Sequence, residues 1–509
     1  MDLRASPFRW HAGVGLRHHP REPLSSCPSY RFLAEFDSSS LRPLFWRFTV
    51  LRTRNSSGVL LRLRGVGLAI LSHLVSSCGG NTDAPRPRPN IVLITIDTVR
   101  ADHLGSYGSS RPSSPSIDQM AESGLLFERA LSPAPWTLPS MASLHTSLYP
   151  TEHGAIGAHT PLPDDATTVA ESLQSVGYET MAFVTHIFVS RRYGLDQGFR
   201  TFDESLVGGH ETVTSEQLTM SALQYLSRMG REPFFLWVHY FDPHFSYIRH
   251  REFGFVELDA SPERFSYEDL LAAEPSLRDD SVPDPFSVET VKAIYDEEIA
   301  FTDAAIGRLL DGIERLNLAR PVVNILTSDH GEYFMERGRF GHGRDVYDEL
   351  LHVPLIISGD IDETIKGHRF PGAVEMASIA HTIANLAQVD DNPFRGEDLL
   401  AIEDREHRPP IFSFGCYAWG NDGRKIMVES EGWKLIQPVD DDRFELYDLG
   451  RDPRELDNLW HEETATSRAE EKMLLAALDE FAARRKRSPS TIDLTPEEIR
   501  RLEALGYVR

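Results

Sequence analysis

Six residues after Asn90, Ile91–Ile96 (IVLITI), form an almost unbroken β-branched apolar run. A half-exposed strand would alternate, so a continuous run predicts a strand buried on both faces. The same texture returns at Thr180–Thr185, Phe234–Tyr240, Val322–Thr327 and Val353–Ser358. Between these runs, apolar residues fall at helical spacing over Ser116–Phe127, Thr167–Val176, Thr214–Met229, Val288–Leu316 and Val374–Ala387. Thr214 and Gln217 have the spacing of a capping box. Strands alternating with helices predict an α/β fold, a doubly wound, mostly parallel sheet flanked by helices. Such sheets place their chemistry at the carboxyl ends of the strands.

Three of the predicted strands end in groups that handle metals or protons. Asp97 closes the first and is followed by Arg100, Asp102 and His103. The third runs through His239 to Asp242, Pro243 and His244. The fourth ends in Ser328-Asp329-His330-Gly331-Glu332. A single Asp after a strand is usually a turn or cap residue. Three such ends on one edge of a sheet point to a site.

Composition narrows the class. The 509 residues are 41% hydrophobic and 25% charged, enough for a sizeable core. No apolar stretch reaches the ~18 residues of a membrane-spanning helix, which excludes a polytopic membrane protein. Cys27, Cys78 and Cys416 build neither a disulfide framework nor a four-thiolate zinc site. Residues 1–89 hold 13 arginines and 5 acids, a net of +8; with −25 for the whole chain, the remainder carries −33. A body that acidic excludes nucleic acid as a partner. Residues 1–58 show no periodicity and read as a disordered or misassigned N-terminal extension, with the true start near Val59. Residues 59–78 follow as a lipoprotein-type signal: basic Val59–Arg64, apolar Gly65–Val75, then Ser76-Ser77-Cys78. Cleavage before Cys78 and its acylation would anchor the protein by lipid to a bacterial cell envelope, on its periplasmic or outer face. Residues 79–89 read as a tether.

The motifs resemble the sulfatase branch of the alkaline phosphatase superfamily. Pro89–Ile94 with Asp97, Arg100 and His103–Gly108 looks like that family's first strand and loop. Ala134–Met141 and Tyr149–Gly154 are similar to its nucleophile segment, and Ser328–Glu332 with Gly341–Arg344 and Tyr347–Glu349 to its late metal segment. The resemblance implies a catalytic domain over residues 90–400, a small C-terminal α+β subdomain over 408–485 and a tail with a short helix over 486–509. This chain departs from the family's pattern at the nucleophile. Thr137 stands where formylglycine-dependent sulfatases carry Cys or Ser, and Met141 where they carry Arg. Thr98 replaces a second Asp, and the regions that match two active-site lysines hold Thr185-His186 and His342. A threonine cannot be oxidised to an aldehyde. Relatives with Thr at this position act on phosphorus esters.

Asp97, Asp329 and His330 offer two carboxylates and an imidazole for one divalent cation (Ca, Mg, Mn or Zn), and Thr137 adds its hydroxyl. Coordination would lower the pKa of Thr137 and make it a nucleophile; the alternative for Thr137 is a helix N-cap. His244 and His342 are candidates to bind the anion and protonate the leaving group. Arg100 and Asp242 are candidate substrate contacts, although Asp-Pro is also a common turn. A two-metal version would place a second cation at Asp242, His244 and His342. The expectation is a lipid-anchored, metal-dependent hydrolase of a small anionic phosphate, phosphonate or sulfate ester. Its alternatives are phosphoryl transfer to an alcohol and an inactive surface-binding lipoprotein.

Overall fold

The computed structural model describes residues 87–208, 214–255, 263–266, 268–272, 287–402, 408–416, 424–439, 441–460, 465–484, 487–505 and 507. The expected extension and signal, including Cys78, lie outside the described residues. Residues 83–509 form one compact unit.

A nine-stranded sheet organises this unit. We number its strands β1 (Asn90–Ile96), β2 (Leu125–Leu131), β3 (Glu179–Val184), β4 (Thr201–Asp203), β5 (Phe234–Tyr240), β6 (Val322–Ser328), β7 (His352–Val353), β8 (Leu355–Gly359) and β9 (His368–Glu375). β1 lies at the centre, parallel to β6 on one side and β5 on the other. β3 and β4 continue the parallel set beyond β5. On the far side, β8 runs antiparallel to β6 and pairs with β2, which carries β9 in parallel on its other partner edge. The apolar run in β1 is explained by this position. Ile91 and Leu93 pack on one face with Phe235, Trp237 and Ile325. Val92, Ile94 and Ile96 pack on the other with Leu236, Val238 and Leu326.

Two expected helices give up an end to a strand of the sheet. Pro115–Glu122 is helical, but Leu125–Phe127 belongs to β2. Gly124 makes the break, since a Cβ there would meet the Ile357 carbonyl at 2.5 Å. Ser378–Leu386 is helical, while Val374 and Glu375 end β9. The Thr214–Gln217 capping box does not form. Asp242 takes its place, accepting from the Thr214 and Ser215 amides at 2.8 Å each.

A four-stranded antiparallel sheet, β10 (Ile411–Gly415), β11 (Lys425–Ser430), β12 (Trp433–Pro438) and β13 (Glu445–Asp448), packs against the loop that precedes Thr137. Ser413 donates to the Ser132 carbonyl at 2.5 Å, and the Phe414 amide to Pro133 at 2.9 Å. Buried charges join the two sheets. Arg129 on β2 reaches Asp348 at 2.6 Å and Glu429 at 2.5 Å. Lys434 on β12, with no exposed side-chain surface, reaches Asp348 at 2.9 Å and Glu455 at 2.6 Å. Burial pushes Asp348 up, but Arg129 and Lys434 outweigh it and hold the carboxyl well below its ordinary range. That depression contributes stability above the unfolded-state pKa and loses it as pH falls through the folded value. Removing one buried partner strands the other charge, so Lys434→Ala should lower unfolding free energy by about 3–5 kcal/mol. Urea unfolding monitored by tryptophan fluorescence measures this; a loss below ~1 kcal/mol would show that the network is effectively solvated.

Candidate active site

The parallel strands deliver their terminal residues to one place. β1 ends one residue before Asp97, β6 ends one residue before Asp329 and His330, and the helix Thr137–Thr146 begins opposite them. Asp97, Thr137, Asp329 and His330 are fully buried. His330 Nε2 lies 3.3 Å from Asp329 Oδ2, 3.8 Å from Asp97 Oδ1 and 3.4 Å from Thr137 Oγ1. Its Nδ1–H donates to the Gly331 carbonyl at 2.9 Å, which leaves the Nε2 lone pair facing the carboxylates. Gly331 is required here, because a Cβ would sit 2.1 Å from the Glu349 carbonyl.

Local backbone geometry fixes Asp329. Thr98 adopts a left-handed conformation (φ 59°), which costs a β-branched residue about 1–3 kcal/mol. This turn aims the Thr98 amide at Asp329 Oδ1, 3.0 Å away, and the His330 amide reaches the same oxygen at 2.8 Å. Asp329 Oδ2 and both oxygens of Asp97 have no hydrogen-bond partner. Burial, and next the charge of Asp329, push Asp97 well above the ordinary carboxylate range. Two buried carboxylates with lone pairs to spare are costly alone and favourable around a cation. With an imidazole nitrogen and a hydroxyl beside them, the set fits a divalent ion.

Thr137 is not the helix cap. Trp136 occupies the N-cap position and Thr137 the first helical position, with its hydroxyl turned to His330. A tyrosine from the far end of the chain covers this hydroxyl. Tyr507 Oη lies 3.4 Å from Thr137 Oγ1 and 3.1 Å from Nε2 of both His244 and His342. It follows a helix, Pro496–Ala504, whose Leu502 and the succeeding Leu505 are buried in the core that also holds Leu138 and Met141 of the helix beginning at Thr137. Burial and the charge of Asp97 push the phenol well above its ordinary pKa, so it carries its proton.

One phenolic proton cannot serve two imidazole lone pairs, so one ring must donate through Nε2. His244 Nδ1–H already donates to the Phe245 carbonyl at 2.6 Å, which makes its Nε2 an acceptor in the neutral ring. His342 instead has Glu332 at its Nδ1, with the carboxylate oxygens at 3.2 and 3.3 Å. Burial pushes Glu332 well above the ordinary carboxylate range, and a protonated Glu332 donates to Nδ1, which leaves His342 as the ring that presents an Nε2 proton to the site.

The remaining predicted residues are engaged elsewhere. Asp242 caps the helix Ser215–Leu226, so it joins neither the substrate-facing groups nor a second metal site with His244 and His342. Arg100 forms bidentate bonds to Asp102 at 2.8–2.9 Å and also reaches Glu336 and the Glu332 carbonyl. It braces the loop after Asp329 from behind. His103 pairs with Asp296 at 2.6 Å. Four lysines are paired with carboxylates, Lys292 with Glu336, Lys366 with Glu363, Lys425 with Asp345 and Lys434 with Asp348. The groups around Thr137 are imidazoles, carboxylates and a phenol. Glu332, Tyr507, His186 and His239 join the site beyond the predicted set. Glu332 lies inside the Ser328–Glu332 motif and His239 closes a buried strand, so both left a signal; Tyr507 left none.

A mostly parallel central sheet with a carboxylate–imidazole–hydroxyl cluster at its carboxyl edge is the architecture of an alkaline phosphatase-like fold. The sulfatase family's sequence profile matches residues 89–389, and that of the N-sulphoglucosamine sulphohydrolase C-terminal region matches 336–482. An arylsulfatase of Clostridium perfringens is 23% identical over 77% of this chain and 95% of its own. An N-acetylglucosamine-6-O-sulfatase of Bacteroides thetaiotaomicron is 23% identical over 83% and 90%. Among solved structures, a phosphonate monoester hydrolase of Agrobacterium radiobacter aligns with a TM-score of 0.62 at 20% identity, over 77% of this chain and 96% of its own. A protein in complex with its substrate D-glucosamine-2-N,6-O-disulfate aligns with a TM-score of 0.64 at 19% identity, over 77% and 97%. The chain belongs to the sulfatase family of ester hydrolases.

Proposed function

We propose that the protein hydrolyses a small anionic ester through Thr137, with phosphate or phosphonate esters preferred to sulfate esters. The observation that carries this reading is the position of the Tyr507 hydroxyl. It marks one point within 3.4 Å of Thr137 Oγ1, His244 Nε2 and His342 Nε2, which an ester oxygen would take by displacing the phenol. Asp97, Asp329, His330 and the Thr137 hydroxyl would hold one divalent cation, which when bound supplies Lewis acidity to the hydroxyl and the anion. The N-terminus of the ten-residue helix that begins at Thr137 adds a favourable field for the anionic group.

Thr137 Oγ1 attacks phosphorus (or sulfur) as its hydroxyl proton passes to solvent, the ester bond to the alcohol breaks, and the departing oxygen takes the Nε2 proton of His342. Glu332 steadies the ring through Nδ1. Water then attacks the threonine adduct and gives one proton back to His342, the bond to Thr137 Oγ1 breaks, Oγ1 takes up a proton from solvent, and the acid anion leaves. His244, fixed by the Phe245 carbonyl, orients a non-bridging oxygen or the incoming water. The preference for phosphorus rests on Thr137, which cannot become the aldehyde hydrate of formylglycine sulfatases, and on the phosphonate hydrolase likeness. Turnover of an aryl sulfate, a phosphate monoester, a phosphodiester and a phosphonate ester by metal-loaded protein tests it. The phosphorus esters should turn over fastest; cleavage of the aryl sulfate alone would reverse the preference.

We also propose that Cys78 anchors the mature chain by lipid to the envelope. Each buried CH₂ contributes about 0.8 kcal/mol, so two or three acyl chains hold stably. Expressed from Val59, the wild type should fractionate with membranes, and Cys78→Ala should release it. A soluble wild type with residues 59–77 still attached would reject the anchor.

A further inference from the structure

We infer that the chain holds a second divalent cation, at Asp97, His186 and His239, bridged to the first through the Asp97 carboxylate. The two oxygens of Asp97 face opposite ways. Oδ1 looks toward His330 Nε2 at 3.8 Å, and Oδ2 looks toward His239 Nε2 at 3.5 Å and His186 Nδ1 at 3.6 Å. Four bonds of about 2.0–2.1 Å to a tetrahedral ion separate neighbouring ligand atoms by roughly 3.4 Å, close to the spacing around Oδ2. Asp97, His186 and His239 are at most 1% exposed. Both oxygens of Asp97 and His239 Nε2 lack a hydrogen-bond partner although fully enclosed.

The strands build this second triad as they build the first. His239 pairs with Thr95 on β1 and with Val184 on β3, so β1, β5 and β3 bring Asp97, His239 and His186 to one level. His239 is held for ligation. Its Nδ1 lies 2.8 Å from Thr95 Oγ1, which accepts the Trp237 indole N–H at 2.9 Å and has the Val238 carbonyl within 3.5 Å for its own proton. With the Thr95 proton on that carbonyl, Nδ1–H donates to Thr95 and the Nε2 lone pair is left pointing at Asp97. An outer hydrogen bond that fixes tautomer and ring angle is the usual companion of a histidine ligand. His186 is stacked on Phe241 at 4.7 Å, which fixes its plane beside Asp97.

Charge supports the same conclusion. On the reading that the substrate is an anion the site calls for positive charge, and Arg100 is bound to Asp102 and Glu336 instead. A second cation supplies that charge. Two imidazoles and one carboxylate with an open fourth position suit zinc, whereas the oxygen-rich first set also accepts harder ions.

The site is tested by stoichiometry, without reference to turnover. Full-length protein is stripped with chelator, loaded with Zn²⁺, passed through gel filtration and assayed by elemental analysis. The wild type should hold two zinc ions per chain, and His186→Asn and Asp329→Asn one each. Titration of the wild type with Co²⁺ should show two equivalents, with visible absorption of a tetrahedral nitrogen-containing site. His186→Asn should lose that band while Asp329→Asn keeps it. One ion in the wild type overturns the proposal, and so does a His186→Asn chain that still holds two. If His186→Asn does not fold, the wild-type count and Co²⁺ spectrum still decide.

Discussion

Thr137→Ala should lose turnover by about 10⁴- to 10⁶-fold, the range seen when a hydrolase loses its nucleophile, while its fold and melting temperature are kept. The expectation of an intact fold rests on geometry. Thr137 makes no cap bond, and among the described residues its hydroxyl is hydrogen-bonded to His330 and Tyr507 alone. Thr137→Ser should retain measurable turnover, because the hydroxyl stays and only a methyl is lost. Mass spectrometry of protein quenched during turnover should find an ester adduct on the peptide carrying residue 137. An alanine variant as active as the wild type on every ester would transfer the attack to water and demote Thr137 to a binding group.

Asp329→Ala should abolish binding at the first cation site and reduce turnover to background, a loss of comparable size. Asp329 Oδ1 is the acceptor for two backbone amides, so the variant also leaves the Thr98 and His330 N–H groups without that partner. Part of the effect is therefore structural, at about 1–3 kcal/mol for each buried amide left unmade. Asp329→Asn separates the contributions. Its amide oxygen can still accept from the Thr98 and His330 amides, so stability should be largely preserved while affinity for the cation at His330 falls. Calorimetric titration with Mn²⁺, alongside thermal unfolding, reads both. Unchanged affinity in Asp329→Asn would remove this carboxylate from the ligand set.

Much of the sheet was legible because its strands are buried on both faces and are written as apolar runs. β2 was not, for a physical reason. Its middle holds Glu128 and Arg129, and Arg129 is there to reach across to Asp348 and Glu429. A strand that carries a buried cation for a neighbouring sheet does not look like a core strand, and Leu125–Phe127 then reads as the end of the preceding helix. The motif residues Asp97, Thr137, Asp329 and His330 do meet, since each stands at the end of an element whose position the sheet dictates. Asp242 and Arg100 illustrate the opposite case. Their residue types suit a substrate contact, but nearer partners exist: two helix amides for the first and a carboxylate two residues away for the second. Sequence spacing does not show which partner is closer in space. Tyr507 was invisible because 370 residues separate it from Thr137 and nothing beside it in sequence marks it as polar machinery.

The location of Tyr507 has a practical consequence for anyone who produces this protein. A purification tag fused after residue 509 begins three residues beyond Tyr507, whose side chain touches Thr137, His244 and His342. Tagged and cleaved preparations then differ close to the reacting centre as well as at the periphery. Rates from the two are not interchangeable until compared directly, and an affinity handle belongs at the other end of the folded unit, ahead of residue 87.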